Sequence, residues 1–429
     1  MIRSLFFRIA DLYFGWRMIA VGSVLRILGG GLYFYGFSVY FLPLSRDLNL
    51  NRAATSLVFS LARAQGAFEG PIAGYAMDRY GPRPLMIMAL IMTGIGHMML
   101  AGVHSYLMLV IVYMGLVSLS FHAGFMDAPM LIANTWFIRH RTMAMALISG
   151  SIGIGGFILT PFLSMAVHAF GWRYAAFGCG ILFMAVGLPL ALQVRRSPES
   201  MGLLPDGDAP LAQRRTIEQT QPPAQDEIEF TLAQALKTSS FWFLVSATAI
   251  RVIILSAVNV HYIALMVWKG MSEQRAAFFL AAQAFVSLPS HLIFGWIGDR
   301  MDKPRLMSIC MLLAAASMVL LANVHQEWAI LIFTALFSVV ESTFPVSWST
   351  VGDYFGRKNF AKIRGSMSFI SRWGSVIGPV LAGAIYDYTK SYEILLWSSA
   401  LLLLGSSTLY GMVKPPKAQI IFNVPLGDG

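Results

Sequence analysis

Seven ionisable side chains lie inside stretches of sequence that are otherwise apolar: Arg26, Arg63, Glu69, Asp127, Arg251, Glu341 and Arg372. A charge in hydrocarbon is costly unless it meets water or a partner, so each is a functional candidate. Their types suit binding rather than bond-making. A guanidinium stays ionised where water is scarce and offers a planar fork that matches a carboxylate. A buried carboxyl near an arginine can take up and release a proton as its surroundings change. The first property points to small organic anions as cargo, with Arg251 as the leading ligand, then Arg372 and Arg26. The second assigns proton coupling to Glu341, near the middle of its run, and to Asp127. Asn259, His261 and Tyr33 add candidate substrate contacts. The competing reading is that such charges only tie helices together, Arg26 with Asp127 and Arg251 with Glu341.

These side chains need a scaffold, and composition names it. Of 429 residues 57% are hydrophobic and 12% charged, with a mean hydropathy of +0.65, whereas soluble domains carry charge on roughly a quarter of their residues. Twelve apolar runs lie near 16 to 44, 54 to 77, 84 to 103, 107 to 135, 142 to 167, 172 to 194, 241 to 268, 274 to 298, 304 to 323, 328 to 352, 364 to 386 and 392 to 413. Each can span a core of roughly 30 Å at 1.5 Å per helical residue. The expected fold is therefore an all-α membrane protein of twelve transmembrane helices. A net charge of +10 would fit a nucleic-acid partner, but most Lys and Arg fall in segments that place both termini in the cytoplasm, as the positive-inside rule requires. The basic cluster after the tenth run, Arg357, Lys358, Lys362 and Arg364, is counted with those loops. A multi-pass plasma membrane protein, of the bacterial inner membrane, follows; its partners are the lipid bilayer, an organic anion and a proton, and it is expected to act as a monomer. "MIRSLFFRIADLYFGW" has no small-residue cleavage site, so the first run reads as an uncleaved insertion signal. Cys179 and Cys310 read as small buried hydrophobes. No phosphate loop and no metal-ligand spacing occurs, so neither a cofactor, a metal nor an enzyme is expected.

The chain also repeats itself. "GYAMDRYGPR" at 74–83 has an echo in "GWIGDRMDKPR" at 295–305, so Asp78 maps to Asp299 at an offset of 221. "GFILTP" and "GSVIGP" relate Gly156 and Pro161 to Gly374 and Pro379 at 218. Arg26 maps to Arg251 at 225. The expected domains are a six-helix bundle at 1–194, a charged, Pro-rich cytoplasmic linker at 195–240, and a second bundle with a short tail at 241–429. Within the linker "FTLAQALKTSS" reads as a short surface helix. Parallel repeats with a central site are one architecture of secondary transporters.

Gly74, Asp78, Arg79, Gly81 and Arg83 reproduce the Gly-x-x-x-Asp-Arg-x-Gly-x-Arg signature, and the chain resembles the major facilitator superfamily. "YFGWRMIAV", "WFIRHRTMAMAL", "FGWRYAAF" and "GDYFGRKNFAKIRG" are similar to its monocarboxylate transporter and oxalate:formate exchanger branch. The resemblance implies that helices 1, 4, 7 and 10 line a cavity, which sets Arg63 and Glu69 aside as structural, and that Arg372 holds the place of a helix 11 cation. It also implies a gate made by Asp78, Arg79, Arg83, Asp299 and Arg300, which holds the halves together on the cytoplasmic side. One position departs: where monocarboxylate transporters carry an arginine on helix 8 this chain has His291, a candidate titratable cation. The expected function is proton-coupled transport of monocarboxylates by alternating access. Organic anion exchange, drug or metabolite efflux, and a membrane nutrient sensor are the alternatives.

Overall fold

A computed structural model describes residues 13–50, 52–119, 121–207, 229–324 and 326–416. The start of the expected insertion signal, the middle of the linker, the end of the tail and the Arg63 side chain lie outside the described residues. The described residues form no strand, and their long helices fall into twelve stretches. In the first half, α1 runs through Phe14–Gly29, a π-helical turn at Gly30–Phe34 and Gly36–Asp47; α2 is Arg52–Tyr80 and α3 Pro82–Leu100. α4 joins Tyr106–Val112, two π-helical turns at Tyr113–Ser118 and His122–Asp127, and Ala128–Trp136. α5 is Arg141–Phe170, and α6 runs through Trp172–Leu182, Phe183–Gly187 and Leu188–Leu192. In the second half, α7 is Ser239–Trp268, α8 Glu273–Gly298, α9 Lys303–Asn323 and α10 Glu327–Phe355. α11 is Phe360–Arg372 followed, after a break at Trp373, by Gly374–Thr389, and α12 is Glu393–Met412.

Nine helices among the described residues are long and apolar enough to cross a membrane. α2, α8 and α11 are not among them, so composition vouches for nine of the twelve expected spans. α2 carries Glu69, Asp78 and Arg79 and α11 is interrupted, while in α8 the apolar stretch found among the described residues is Phe285–Gly298. All three lie at the interface between the halves, where α2 packs on the first part of α11 and α8 packs on α5. There a helix exchanges lipid contact for protein contact, and continuous apolarity is not required of it.

Side-chain caps begin several helices. Thr238 accepts from Phe241 N before α7, Ser272 from Arg275 N before α8 and Asp302 from Arg305 N before α9, satisfying amides the helix leaves open. The linker's expected short helix appears as Leu232–Leu236, begun by a reciprocal Thr231–Gln234 capping box. Linker residues on either side of the undescribed segment bind both halves. Asp206 accepts from the backbone N–H of Ile138 and Arg139, both at 2.9 Å, while Phe230 N–H donates to the Phe355 carbonyl at 3.1 Å. Both cysteines are free and buried.

Candidate substrate site and latch

At one end of the bundle, here called the latch end, two carboxylates cross between the halves in the same way. Asp78, in the last turn of α2, accepts from Lys362 N at 2.9 Å and Ala361 N at 3.2 Å, both in the first turn of α11. Asp299, just past α8, accepts from Thr142 N at 2.8 Å and Met143 N at 3.0 Å in the first turn of α5. Each acid thus sits where a helix has unpaired amides and a partial positive charge. Burial raises the Asp299 carboxyl above its ordinary pKa, against the opposing pull of the Thr142 and Met143 donors. Glycine brings the backbones together: a Cβ on Gly70 of α2 would stand 2.8 Å from the Gly365 carbonyl oxygen of α11. Gly81, at φ +85°, turns the chain from α2 into α3 in a conformation costly for any residue with a Cβ.

The arginines of the repeated loops do not share this work. Arg79 donates to Tyr75 Oη on its own helix at 3.1 Å. Arg300 donates to the Trp296 carbonyl at 3.1 Å and lies over the Trp296 ring. Arg83 lines a polar cavity with Arg195 and Arg196. The ion pair that crosses the halves there is Arg141 on Asp353 at 2.5 Å, with Lys303 of the second half on the same carboxylate, while Arg357 ties the second half to Glu199 of the linker at 2.9 Å.

Deeper in the bundle the central charges gather along the seam between α2 and α11. Arg364 Nη1 donates to Asp127 Oδ1 at 2.5 Å, with side chains 6% and 5% exposed. Arg372 Nη2 lies 3.5 Å from the same oxygen, and its Nη1 donates to the Gly66 carbonyl of α2. Arg26 reaches Met126 Sδ at 3.2 Å, and its Nε and Nη1 have no partner within the protein. Glu69 is buried with neither carboxyl oxygen hydrogen-bonded, and the charges acting on it are Arg372 and Asp127. Arg364 also stacks over Trp348, 4.7 Å from the ring centre. Asp127 ends a π-helical turn and Pro129 follows it, a local departure from α geometry of the kind found at functional sites. At 1.5 Å per residue, Asp127 and Arg372 stand about 13 and 18 Å from the latch-end termini of α4 and α11, near the middle of the bundle.

Several expected site residues are placed differently. Arg251 is 1% exposed; its Nη1 donates to Thr343 Oγ1 at 2.7 Å and its guanidinium faces the Phe344 ring, both within the second half. The leading ligand of the sequence reading is therefore enclosed in its own bundle, because α7 and α10 close around it. The two intra-half pairs expected of a merely structural role are absent from the described ion pairs: Asp127 takes Arg364 and Arg372, and Arg251 takes a threonine. Tyr33 donates to Ser118 Oγ at 3.1 Å and stacks on Tyr113, inside the first half. Asn259 accepts from Gln283 Nε2 at 3.0 Å, tying α7 to α8. His261 joins the Tyr392 hydroxyl at 3.0 Å and the Pro379 carbonyl at 3.1 Å, tying α7 to α11 and to the start of α12. His291 Nδ1 meets the Ser287 carbonyl at 2.7 Å, within range of the charges of Glu341, Arg26 and Arg251. Glu341 is half-buried.

Arg364 is absent from the sequence-derived site. Read as beginning at 364, the eleventh run left that arginine in the loop; α11 starts at Phe360, which carries Arg364 a full turn into the bundle. Its spacing of eight residues from Arg372 was the available signal, since about two turns bring both guanidinia to neighbouring faces.

Paired bundles with mirrored latches and a charged centre define a secondary-transporter fold. A family model described as Major Facilitator Superfamily matches residues 19–269 and 262–421, and the chain belongs to that superfamily. Within it the chain is similar in sequence to monocarboxylate transporters and to a hexose phosphate carrier. Monocarboxylate transporter 13 of Bos taurus is 24% identical over 92% of this chain and 88% of its own length. Monocarboxylate transporter 2 of Homo sapiens is 23% identical over 94% and 88%. A probable hexose phosphate transport protein of Chlamydia pneumoniae is 24% identical over 87% and 86%. Among solved structures, the transporter FucP in its outward conformation superposes with a TM-score of 0.72 at 14% identity, covering 93% of this chain and 99% of that one; this likeness concerns the fold.

Proposed function

We propose that this protein carries small organic anions, monocarboxylates foremost, across the membrane together with a proton by alternating access, and that the latch end is cytoplasmic. The concentration of Arg79, Arg83, Arg139, Arg195, Arg196, Lys237, Arg300, Lys303 and Arg305 at that end supports the orientation. The single observation that carries the cargo assignment is Arg372. It is the arginine of the central cluster with open surface, 21% exposed, and its tie to Asp127 is long. It sits at the break in α11, where a substrate carboxylate can replace the weak contact by a two-pronged one. Arg251, enclosed and bonded to Thr343, supports helix packing instead. The names of the relatives, which speak of monocarboxylates and a hexose phosphate, agree with an anionic cargo.

Alternating access follows from the contacts. Opening the latch end requires Asp78 and Asp299 to leave their helix N-termini and Asp127 to part from Arg364. Separating a buried ion pair costs about 3–5 kcal/mol when one charge is left uncompensated. A substrate carboxylate on Arg372, close to Asp127, changes that balance at the point where the halves meet. The test is uptake of labelled lactate, pyruvate, acetate, oxalate and a hexose phosphate into liposomes holding the purified protein, with and without an inward proton gradient. Gradient-stimulated uptake of a monocarboxylate is expected; uptake of none of the anions overturns the reading. Counterflow that ignores the gradient makes the protein an exchanger.

A further inference from the structure

We propose that Glu69, on α2, is the proton-carrying group and that proton and substrate compete through Arg372; this deepens the transport reading above and rests on it. Among the acids of the central region Glu69 alone combines burial with two unbonded carboxyl oxygens. Asp127 is held as an anion by Arg364 at 2.5 Å and by Arg372. Glu341 is half-buried, within range of the charges or dipoles of His291 and Tyr35. A buried carboxylate with no donor is costly, whereas the protonated acid is not. Glu69 is therefore the site whose occupancy by a proton changes most readily as the cavity gains or loses water.

The surroundings of Glu69 convert that occupancy into coupling. Arg372 on α11 and Asp127 on α4 act directly on its carboxyl. Arg364 on α11 and Arg26 on α1 act on Asp127 and on each other, and His122 of α4 packs on Gly66, three residues from Glu69. While Glu69 is ionised it competes for the Arg372 guanidinium. When it takes a proton from water on the open side, that attraction ends and Arg372 is free for a substrate carboxylate; on the other side the anion leaves first and the proton follows. The charge of the cluster closes the argument. Leaving aside His122, which also acts on Asp127 and whose charge is the same in both forms compared, three guanidinia (Arg26, Arg364, Arg372) and two carboxylates (Glu69, Asp127) sum to +1. Protonated Glu69 with a bound monocarboxylate gives +1 again. Loaded and empty forms therefore reorient with equal charge, sparing the electrical work of about 2.3 kcal/mol per charge at 100 mV.

The experiment uses the full chain with Glu69→Gln, an uncharged near-isostere. Wild-type proteoliposomes should accumulate labelled lactate under an inward proton gradient, and Glu69→Gln should lose at least about tenfold of that accumulation. The variant should still exchange internal for external lactate at a rate within about threefold of wild type and insensitive to pH between 5.5 and 8, as an approximate working window. Retained exchange also reports a folded protein. Glu69→Asp should restore part of the gradient response. Gradient-driven accumulation by Glu69→Gln equal to wild type overturns the proposal. If wild type moves none of the anions, the transport reading fails by itself. Glu69 then remains testable by infrared titration of the detergent-solubilised protein: a protonated-carboxyl band that responds to pH in wild type and is missing in Glu69→Gln supports the assignment, and an unchanged band overturns it.

Discussion

The halves meet along two seams, α2 against α11 and α8 against α5, which share a foundation and diverge above it. At the base the two are alike: Asp78 bonds the N-terminus of α11 and Asp299 that of α5, each through two backbone amides. One level up, the α2–α11 seam holds Glu69, Arg364 and Arg372 beside Asp127. The repeat offsets of 221 and 218 carry those three residues to Ser290, Ala146 and Ile154 in the other seam. Ser290 donates to a carbonyl of its own helix, and Ala146 lies where a Cβ on Gly295 would meet it. The repeat supplies the latch acids twice, whereas the buried charge cluster stands in one seam. Under the function proposed above, that seam is the binding side and the other a bearing.

The sharpest test of this division removes Arg372. Arg372→Gln is expected to lower uptake efficiency about 10- to 150-fold, since the charged hydrogen bonds it offers a carboxylate are worth about 1.5–3 kcal/mol. Ser290→Ala, at the mate of Glu69, should leave uptake within about twofold. Equal losses in the two variants would erase the distinction between the seams.

Arg364→Gln comes next. It leaves buried Asp127 with only its long contact to Arg372 and should cost up to about 3–5 kcal/mol of the latch-closed state. Thermal unfolding and labelling of cysteines introduced in the α10–α11 loop should both reveal the change. Arg364→Met combined with Asp127→Leu should be less destabilised than Arg364→Gln alone. A double variant worse than the single would mean that the pair contributes more than the removal of its own desolvation cost.

The latches sharpen the comparison further. Asp299→Asn and Asp78→Asn each weaken two backbone contacts, but the α2–α11 seam keeps its buried Asp127–Arg364 pair, whereas the reserve on the other side is Arg141 with Asp353, an acid 28% exposed and therefore more screened. Asp299→Asn should raise latch-end labelling about tenfold and Asp78→Asn about threefold, corresponding to about 1.4 and about 0.6 kcal/mol. The reverse order would place the stronger closure in the α5–α8 seam.

A small transport effect is also expected for Arg251→Met, which should change the KM for lactate less than about threefold while lowering thermal stability, because Thr343 Oγ1 loses the Arg251 donor. Loss of uptake in a folded Arg251→Met protein would return Arg251 to the substrate site.

Much of this was legible in the chain. Hydropathy located the helices because membrane burial acts on whole runs of about 20 residues. The Asp-Arg loops disclosed the duplication, and the resemblance they carry implied that Asp78 and Asp299 hold the halves together. The central site was only partly readable. Arg364 was lost to a boundary error of four residues, and Glu69 was set aside because α2 is not one of the four helices that the resemblance assigns to the cavity. Arg251 was ranked first for its guanidinium within an apolar run, yet that does not reveal the side of the helix on which a guanidinium finds its neighbours.

Sequence alone determined the membrane setting, the repeat and the set of charges available, because these follow from composition and spacing along one chain. The tertiary structure decided which charges meet. Asp127 and Arg364 are 237 residues apart and become partners only because glycines at 70 and 365 let α2 and α11 touch, drawing the polar face of α11 against α4. Pairing across such a separation depends on helix rotation and crossing, and no local periodicity encodes the facing surface of a second helix.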